Sequence, residues 1–230
     1  IEDSMEGIVP MQRLVQGDVG SGKTAIAILA LTKIVENGYQ GALMAPTEVL
    51  AAQHFKTFQQ VFKGMPIKTA YLSGHTKAAE RKEILEQLKD GSIHILIGTH
   101  ALIEENVVFS ALGLVITDEQ HRFGVKQRQA LESKGKSPHV LIMTATPIPR
   151  TMALSVYGDL DVSFIKGMPP GRHPVKTYVV GSHMLQRIFR FMKKEMESGH
   201  QAYVVCPLVE QSEKLSLIHI SEPTRLQLIS

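Results

Sequence analysis

Gly17-Asp18-Val19-Gly20-Ser21-Gly22-Lys23-Thr24 fits the pattern G-x-x-x-x-G-K-[ST] at every constrained position. An apolar strand, Leu14-Val15-Gln16, precedes it, and an alanine-rich apolar stretch predicted to be a helix begins near Lys23. The motif needs that setting, because its backbone N–H groups must wrap around phosphate oxygens at a helix N-terminus. Lys23 is expected to reach the β- and γ-phosphates of a nucleoside triphosphate and Thr24 to offer its hydroxyl to Mg²⁺. A glycine-rich turn matching by chance would not bring this strand and helix with it.

Working outward, short apolar runs alternate with helical patterns as far as Tyr157. Strands are predicted at Leu14–Gln16, Ala42–Ala45, Lys68–Leu72, His94–Ile97, Leu114–Thr117 and Val140–Thr144. Helices are predicted at Lys23–Asn37, Glu48–Phe62, Lys77–Asp90, Gly124–Glu132 and Arg150–Tyr157. Strand, crossover helix, strand is the order of an α/β domain with a mostly parallel sheet covered on both faces. Such sheets bind ligands in loops beyond the carboxyl ends of their strands.

Gly167-Met168-Pro169-Pro170-Gly171-Arg172-His173-Pro174 interrupts the pattern, since its prolines suit neither a helix interior nor a central strand. Residues 166–174 therefore read as a linker between an ATP-binding domain over 1–165 and the start of a second α/β lobe over 175–214. In that second piece a strand is expected near Lys176–Val180, a helix near Met184–Ser198 and a strand near Gln201–Cys206. Residues 215–230 carry no convincing period and read as an anomalous tail, foreign or frameshifted.

The 230 residues are 43% hydrophobic with a formal charge of +3, enough apolar content for a sizeable core and a balance that tolerates a polyanionic partner without requiring one. Tryptophan is absent and aromatics are only 6%, so base stacking is not expected to dominate nucleic-acid contact. A lone cysteine, Cys206, supplies neither a disulfide framework nor a thiolate metal cluster and suits a reducing cytoplasm. No apolar run is long enough to span a bilayer, and the opening Ile1-Glu2-Asp3-Ser4 is neither a signal peptide nor a methionine start, which suggests a fragment.

Asp118-Glu119-Gln120-His121 follows the strand Leu114-Val115-Ile116-Thr117. Asp118 is the candidate Mg²⁺ carboxylate and Glu119 the candidate general base for an attacking water. His121 either relays the nucleotide state or satisfies a turn. Thr144-Ala145-Thr146-Pro147-Ile148-Pro149-Arg150-Thr151 follows the next strand as a stiff loop. Its Thr144 and Thr146 hydroxyls are candidates to couple hydrolysis to motion, and Arg150 is a weaker one. Three further strand-end segments fall on the same face: Ala45-Pro46-Thr47-Glu48, Leu72-Ser73-Gly74 and Gly98-Thr99-His100. Short hydroxyls and exposed amides of this kind grip a nucleic-acid backbone.

Taken together these motifs resemble the RecG family of branch-migrating DNA helicases in helicase superfamily 2. The resemblance is carried by Pro10-Met11 with Arg13–Thr24, by Ala45–Ala51 with Gln53-His54, and by Asp118-Glu119-Gln120-His121-Arg122-Phe123-Gly124-Val125. Thr144–Thr151, Tyr157–Asp161 and Pro169-Pro170-Gly171-Arg172 extend it, so that it runs from Pro10 to about Lys214. The transcription-repair coupling translocase Mfd shares much of this layout but has a Glu-Gln pair where Gln120-His121 stands.

The resemblance implies a RecA-like phosphate-loop domain with the truncated start of a second RecA-like lobe. It implies ATP and Mg²⁺ bound at Gly17–Thr24 with Asp118, catalysis by Lys23 and Glu119, and coupling through His121, Thr144, Thr146 and Arg150. DNA contact is implied near Pro46, Thr47, Gly74, Thr99 and His100, with branched double-stranded DNA, forks and Holliday junctions, as partner. The implied setting is a monomer in the bacterial cytoplasm, associated with the nucleoid. An N-terminal wedge domain and a glutamine motif are expected before Ile1, and a lobe bearing an arginine motif after Lys214. Three rivals are an Mfd-like translocase, a nucleoside kinase and a non-catalytic nucleotide-dependent clamp. A kinase leaves Asp118–His121 and Thr144–Pro147 without a role, and a clamp needs no base at Glu119.

Overall fold

The computed structural model describes residues 1–7, 9–118, 125–146, 160–166 and 175–205. The chain divides into two units, Ile1–His173 and Pro174–Ser230.

The first unit is built on seven strands: β1 (Gln12–Gln16), β2 (Gln40–Met44), β3 (Thr69–Leu72), β4 (Ile95–Gly98), β5 (Leu112–Asp118), β6 (His139–Thr144) and β7 (Asp161–Phe164). They form one sheet in the order β3-β4-β2-β5-β6-β1-β7, and every pairing is parallel. Helices α1 (Glu2–Met5), α2 (Lys23–Glu36), α3 (Glu48–Val61), α4 (Ala78–Lys89) and α5 (Val125–Glu132) accompany it. A 3₁₀ turn spans His100–Ile103.

The strands are apolar on both faces, as a covered parallel sheet requires. Val15, Leu43, Ile95, Ile97, Leu114, Ile116, Leu141 and Met143 pack with Ala27, Leu31 and Ile34 of α2 and Phe58 of α3. Their neighbours along the strands, including Ala42, Met44, Leu72, Leu96 and Val115, pack with Ile84 and Leu88 of α4, Leu131 of α5 and Leu102 of the 3₁₀ turn. This alternation between two cores is the period-two geometry of extended chain.

Register decides where the functional loops fall. Met44 and Leu72 both stand opposite Gly98, Thr117 opposite Met44, Asp118 opposite Met143, and Gln16 opposite Thr144. Six strands therefore end along one edge, each followed by a segment singled out in the sequence.

All six predicted strands of this unit form, displaced at their ends by two residues or fewer, and so do the helices at α2, α3, α4 and α5. The predicted helix at Arg150–Tyr157 lies outside the described residues. A seventh strand, β7, was not foreseen. Asp161-Val162-Ser163-Phe164 is short and half polar, but β1 supplies its ladder. Arg13 adds a clamp, donating from its guanidinium to Ser163 Oγ at 2.7 Å and to Asp161 Oδ2 at 2.9 Å.

In the second unit α6 (Leu185–Glu197) forms close to the predicted helix. The strands expected near Lys176–Val180 and Gln201–Cys206 do not form. Residues 175–180 and 201–205 form no regular element and are all exposed, and no ladder partner pairs with them among the described residues. A strand whose N–H and C=O groups find no neighbouring strand gains nothing over hydrated chain. Cys206 and the tail from 215 lie outside the described residues.

Gly98 is constrained by packing rather than by backbone angles. A Cβ there would run into the Leu72 carbonyl oxygen of β3 and into Leu102 Cδ1, and a carbonyl held in a ladder does not yield. Gly98→Ala is expected to destabilise the first unit by about 3 kcal/mol, read as a lower urea midpoint at unchanged slope; an unchanged midpoint would contradict this close approach.

Candidate functional site

The loop leaving β1 is held at both ends. Gly17 N–H donates to the Thr144 carbonyl oxygen at 3.2 Å, tying it to the end of β6, and Ser21 N–H donates to the Asp18 carbonyl oxygen at 3.0 Å. Gly20 and Gly22 take φ of 80° and 96°, the left-handed region that favours glycine. Gly22 is the N-cap of α2, and its carbonyl oxygen accepts from Ala25 and Ile26 N–H at 3.0 and 3.3 Å. Gly17 has a steric role, since a Cβ would come within 2.5 Å of Ser21 Oγ and 3.0 Å of Ile165 Cβ.

Lys23 Nζ donates back into its own loop, to the Gly17 carbonyl oxygen at 2.7 Å and the Asp18 carbonyl oxygen at 2.9 Å. The ammonium thereby braces the loop in an open curve and is already at the loop's mouth. Ser21 Oγ is buried with no hydrogen-bond partner among the described residues, a polar atom turned inward in a loop made of donors.

A cavity of about 500 Å³ opens onto this loop. Val19, Gly20, Gly22, Lys23 and Thr24 line one side, and Leu50, Gln53, His54, Asp118 and Ala145 line the other. The structure thus brings Asp118 together with Lys23 and Thr24, which stand 94 or more positions before it in the chain. Asp118 is 8% exposed, and its Oδ2 accepts from His54 Nε2 at 2.7 Å.

The hydroxyl of Thr24 and the carboxylate of Asp118 are hard oxygen donors in one cavity. No cluster of three or more His, Cys, Asp or Glu side chains able to hold a metal occurs among the described residues. The Thr24 hydroxyl and the Asp118 carboxylate are donors of the kind Mg²⁺ takes, an ion that keeps several waters and shares its remaining positions with substrate phosphates.

Thr144 and Thr146 bond to each other. Their hydroxyl oxygens lie 2.9 Å apart with one donating to the other, and Thr146 N–H donates to Thr144 Oγ1 at 3.1 Å. Thr144 is buried and Thr146 exposed, so the pair leads from the sheet edge toward the surface. Glu119, His121 and Arg150 lie outside the described residues.

The segments assigned to nucleic acid sit beyond β2, β3 and β4, on the other half of the same edge. Thr47 caps α3, its Oγ1 accepting from Leu50 N–H at 3.3 Å. An accepting hydroxyl keeps its own hydrogen to donate. Gly74 and His100 are exposed and Pro46 is half-buried. Thr99 is 2% exposed and its Oγ1 has no hydrogen-bond partner among the described residues, so of this set its side chain is the one withheld from the surface.

Two residues here escaped the sequence reading. His54 was quoted only as part of a motif. Its signal was a histidine on the stripe of α3 that buries Ala51 and Phe58, where an apolar residue belongs unless a polar partner waits opposite. His75 was not singled out at all. It pairs with Glu48 Oε1 through Nδ1 at 2.8 Å and links the loop after β3 to the start of α3.

The parallel seven-stranded sheet with its phosphate loop has the RecA-like architecture expected from the sequence, and comparison with known proteins supports it. The family model described as DEAD/DEAH box helicase matches residues 3–154. The chain belongs to the DEAD/DEAH box helicase family. Within it, the chain is similar to the ATP-dependent DNA helicase RecG of Bacillus subtilis (strain 168), with 56% identity over 207 residues. It is 51% identical over 211 residues to the RecG of Aquifex aeolicus (strain VF5). These alignments cover 90% and 91% of the chain but only 30% and 27% of the two relatives.

Among solved structures, RecG bound to a three-way DNA junction superposes with a TM-score of 0.78 and 45% identity, over 96% of the chain and 29% of that protein. The Hef helicase domain of Pyrococcus furiosus, at 22% identity and a TM-score of 0.56 over 71% of the chain and 36% of that domain, shares the fold. The RecG resemblance read from the motifs is borne out.

The Glu48–His75 pair makes a titration testable. The hydrogen bond to Glu48 holds His75 above its ordinary 6.5, and the carboxylate charge adds to it. The hydrogen bond from His75 holds Glu48 below its ordinary 4.5, against partial desolvation. The pair is thus complete between those limits: it is lost as pH rises through the raised value of His75 and as pH falls through the lowered value of Glu48. In an NMR titration His75 is expected to have its midpoint above 6.5 and to return toward that value in Glu48→Gln. An equal midpoint in both proteins would contradict the contact.

Proposed function

We propose that the chain is the ATP-binding motor lobe, with the start of a second lobe, of an ATP-driven double-stranded DNA translocase that remodels stalled forks and Holliday junctions by branch migration. The observation that carries this reading is the convergence of Lys23, Thr24 and Asp118 on one cavity lined by the phosphate loop. Similarity to RecG, one of whose structures is described as bound to a three-way DNA junction, supports branched DNA as the partner.

The geometry around the cavity and the family resemblance together support a division of labour. The loop's N–H groups and the α2 N-terminus receive phosphate oxygens. Lys23 exchanges the Gly17 and Asp18 carbonyls, its partners here, for phosphate oxygens and offsets charge that grows as the terminal phosphoryl group leaves. Thr24 and Asp118 hold Mg²⁺, which supplies charge neutralisation across the phosphates when bound.

Glu119, next in the chain after Asp118, orients the attacking water and takes its proton. Thr144 and Thr146 carry the change at the phosphates along the sheet edge, with His121 and Arg150 in the same role. Pro46, Thr47, Gly74 and His100 receive the DNA backbone, with Thr99 supporting them from below. Residues 166–174 serve as the linker and 175–214 as the beginning of the second lobe, whose arginine completes the ATP site.

The working form is a monomer in the bacterial cytoplasm at the nucleoid. No helix among the described residues is long and apolar enough to cross a membrane.

Two substitutions separate the roles in the complete motor. Lys23→Ala is expected to lower DNA-stimulated ATP hydrolysis by about 10²-fold or more. Activity within twofold of the parent would remove Lys23 from the site. Glu119→Gln keeps shape and hydrogen bonding but loses the base. Nucleotide should still bind while turnover falls by about 10²-fold or more; equal losses of binding and turnover would point to a metal-holding role instead. The 230 residues alone are expected to bind nucleotide without unwinding a model fork, because grip and release need a second lobe to close against. Unwinding by this chain in a strand-displacement assay would show that second lobe to be dispensable.

A further inference from the structure

Asp118 is unusual for a carboxylate at a strand end in being nearly sealed, with its side chain only 12% exposed against the 10% exposed ring of His54. A carboxylate withdrawn from water to this degree needs a donor in place of the lost hydration. His54 is the donor, Nε2 to Oδ2 at 2.7 Å. A carboxylate oxygen only accepts, so Nε2 carries the hydrogen.

Both ends of this bond are fixed. Asp118 is the last residue of β5 and is held in register opposite Met143 of β6. His54 is set by the buried stripe it shares with Ala51 and Phe58 on α3. With Oδ2 engaged, turning the carboxylate about its own bond costs that hydrogen bond, so the contact favours one place for Oδ1 before any metal arrives.

We infer that His54 is a positioning residue for the metal site: its bond to Oδ2 presents Oδ1 of Asp118 to Mg²⁺ and thereby raises the metal's affinity for the nucleotide-bound protein. This rests on the proposed nucleotide site, which Asp118 and His54 both line. Groups that orient a metal's ligand in this way change metal affinity by about 10–100-fold when removed. The inference also makes α3 a physical link, because the helix that carries His54 is capped by Thr47 in a segment assigned to DNA.

The test is binding of a fluorescent ADP analogue to the 230-residue chain, measured in EDTA and across a Mg²⁺ titration. The Mg²⁺ concentration giving half of the metal-dependent tightening is expected to rise about tenfold or more in His54→Ala. In His54→Gln it should stay within about threefold of the parent, because the glutamine amide nitrogen falls where Nε2 stood. His54→Asn, whose amide falls instead at the Nδ1 position, should behave like the alanine variant. The pair of amide variants decides the matter even where His54→Ala does not fold.

A purely structural histidine would weaken metal-free and metal-bound binding alike and leave the midpoint in place; that result, or equal midpoints for the glutamine and asparagine variants, overturns the inference while the nucleotide site stands. A parent chain that binds nucleotide without any response to Mg²⁺ overturns the metal site and the role of His54 together. A parent that binds no nucleotide in either condition overturns the proposed function itself.

Discussion

Parallel pairing with a shared register is the constraint on which the rest of this molecule depends. Hydrogen bonds between β1 and β6, β6 and β5, β5 and β2, and β2 and β4 align the strand ends so that Gln16, Thr144, Asp118, Met44 and Gly98 stand along one edge. A slip of one residue in any of these ladders would exchange the strand's two faces, so that side chains fitted to one core would meet the other. It would also withdraw one functional loop by about 3.3 Å. The packing that stabilises the sheet therefore also sets the distances at the site. Burial on two faces makes each register expensive to change, and the chemistry inherits that rigidity without needing rigid loops.

The order of strands along the edge separates the segments into two groups. β1, β6 and β5 are neighbours on one side and carry the phosphate loop, the Thr144–Thr146 pair and Asp118. β2, β4 and β3 follow on the other side and carry the segments assigned to DNA. Each group is assembled from strands that are distant in sequence and adjacent in space, which is what crossover connections accomplish in a parallel sheet. The two halves meet where β5 pairs with β2, and α3 leaves β2 at this boundary. His54 on α3 reaching Asp118 on β5 is a side-chain contact across the same boundary.

Much of this was legible in the residues, for reasons that can be named. The phosphate loop is read from local requirements: glycines for positive φ at Gly20 and Gly22, a lysine, a hydroxyl, a strand before and a helix after. Most of the six strands foreseen in the first unit are short apolar runs bounded by polar segments, and their length and the turn residues beside them argue strand over helix. Glycine, proline or a cap marks several of the boundaries, as Thr47 marks the start of α3.

What escaped is what depends on a partner. β7 is an ordinary polar tetrapeptide until β1 and the Arg13 clamp are beside it. The expected strands at 176–180 and 201–206 failed in the opposite sense: their β-branched and aromatic residues, Val179, Val180, Tyr203 and Val204 among them, suit a sheet, yet among the described residues no sheet is there to receive them. Propensity records what a pleated, half-buried surface accepts and cannot supply the surface. His75 belongs to the same class, because a bond between side chains 27 positions apart leaves no periodic trace in either segment; His54 left one trace, its place on the buried stripe of α3, but nothing there names its partner 64 positions away.

The partners of Lys23 and Asp118 bear on how the proposed nucleotide site would fill. Two loop carbonyls already accept from the Lys23 ammonium, so phosphate would compete with them rather than meet an unpaired cation. Hydrogen bonds to a charged group are worth about 1.5–3 kcal/mol each, and an anionic acceptor strengthens such a bond further. The exchange would therefore favour phosphate by the difference between a charged and a neutral acceptor. Asp118 in turn is held by His54, so that in the proposed metal site its carboxylate would be oriented by a neighbouring element rather than by the metal alone.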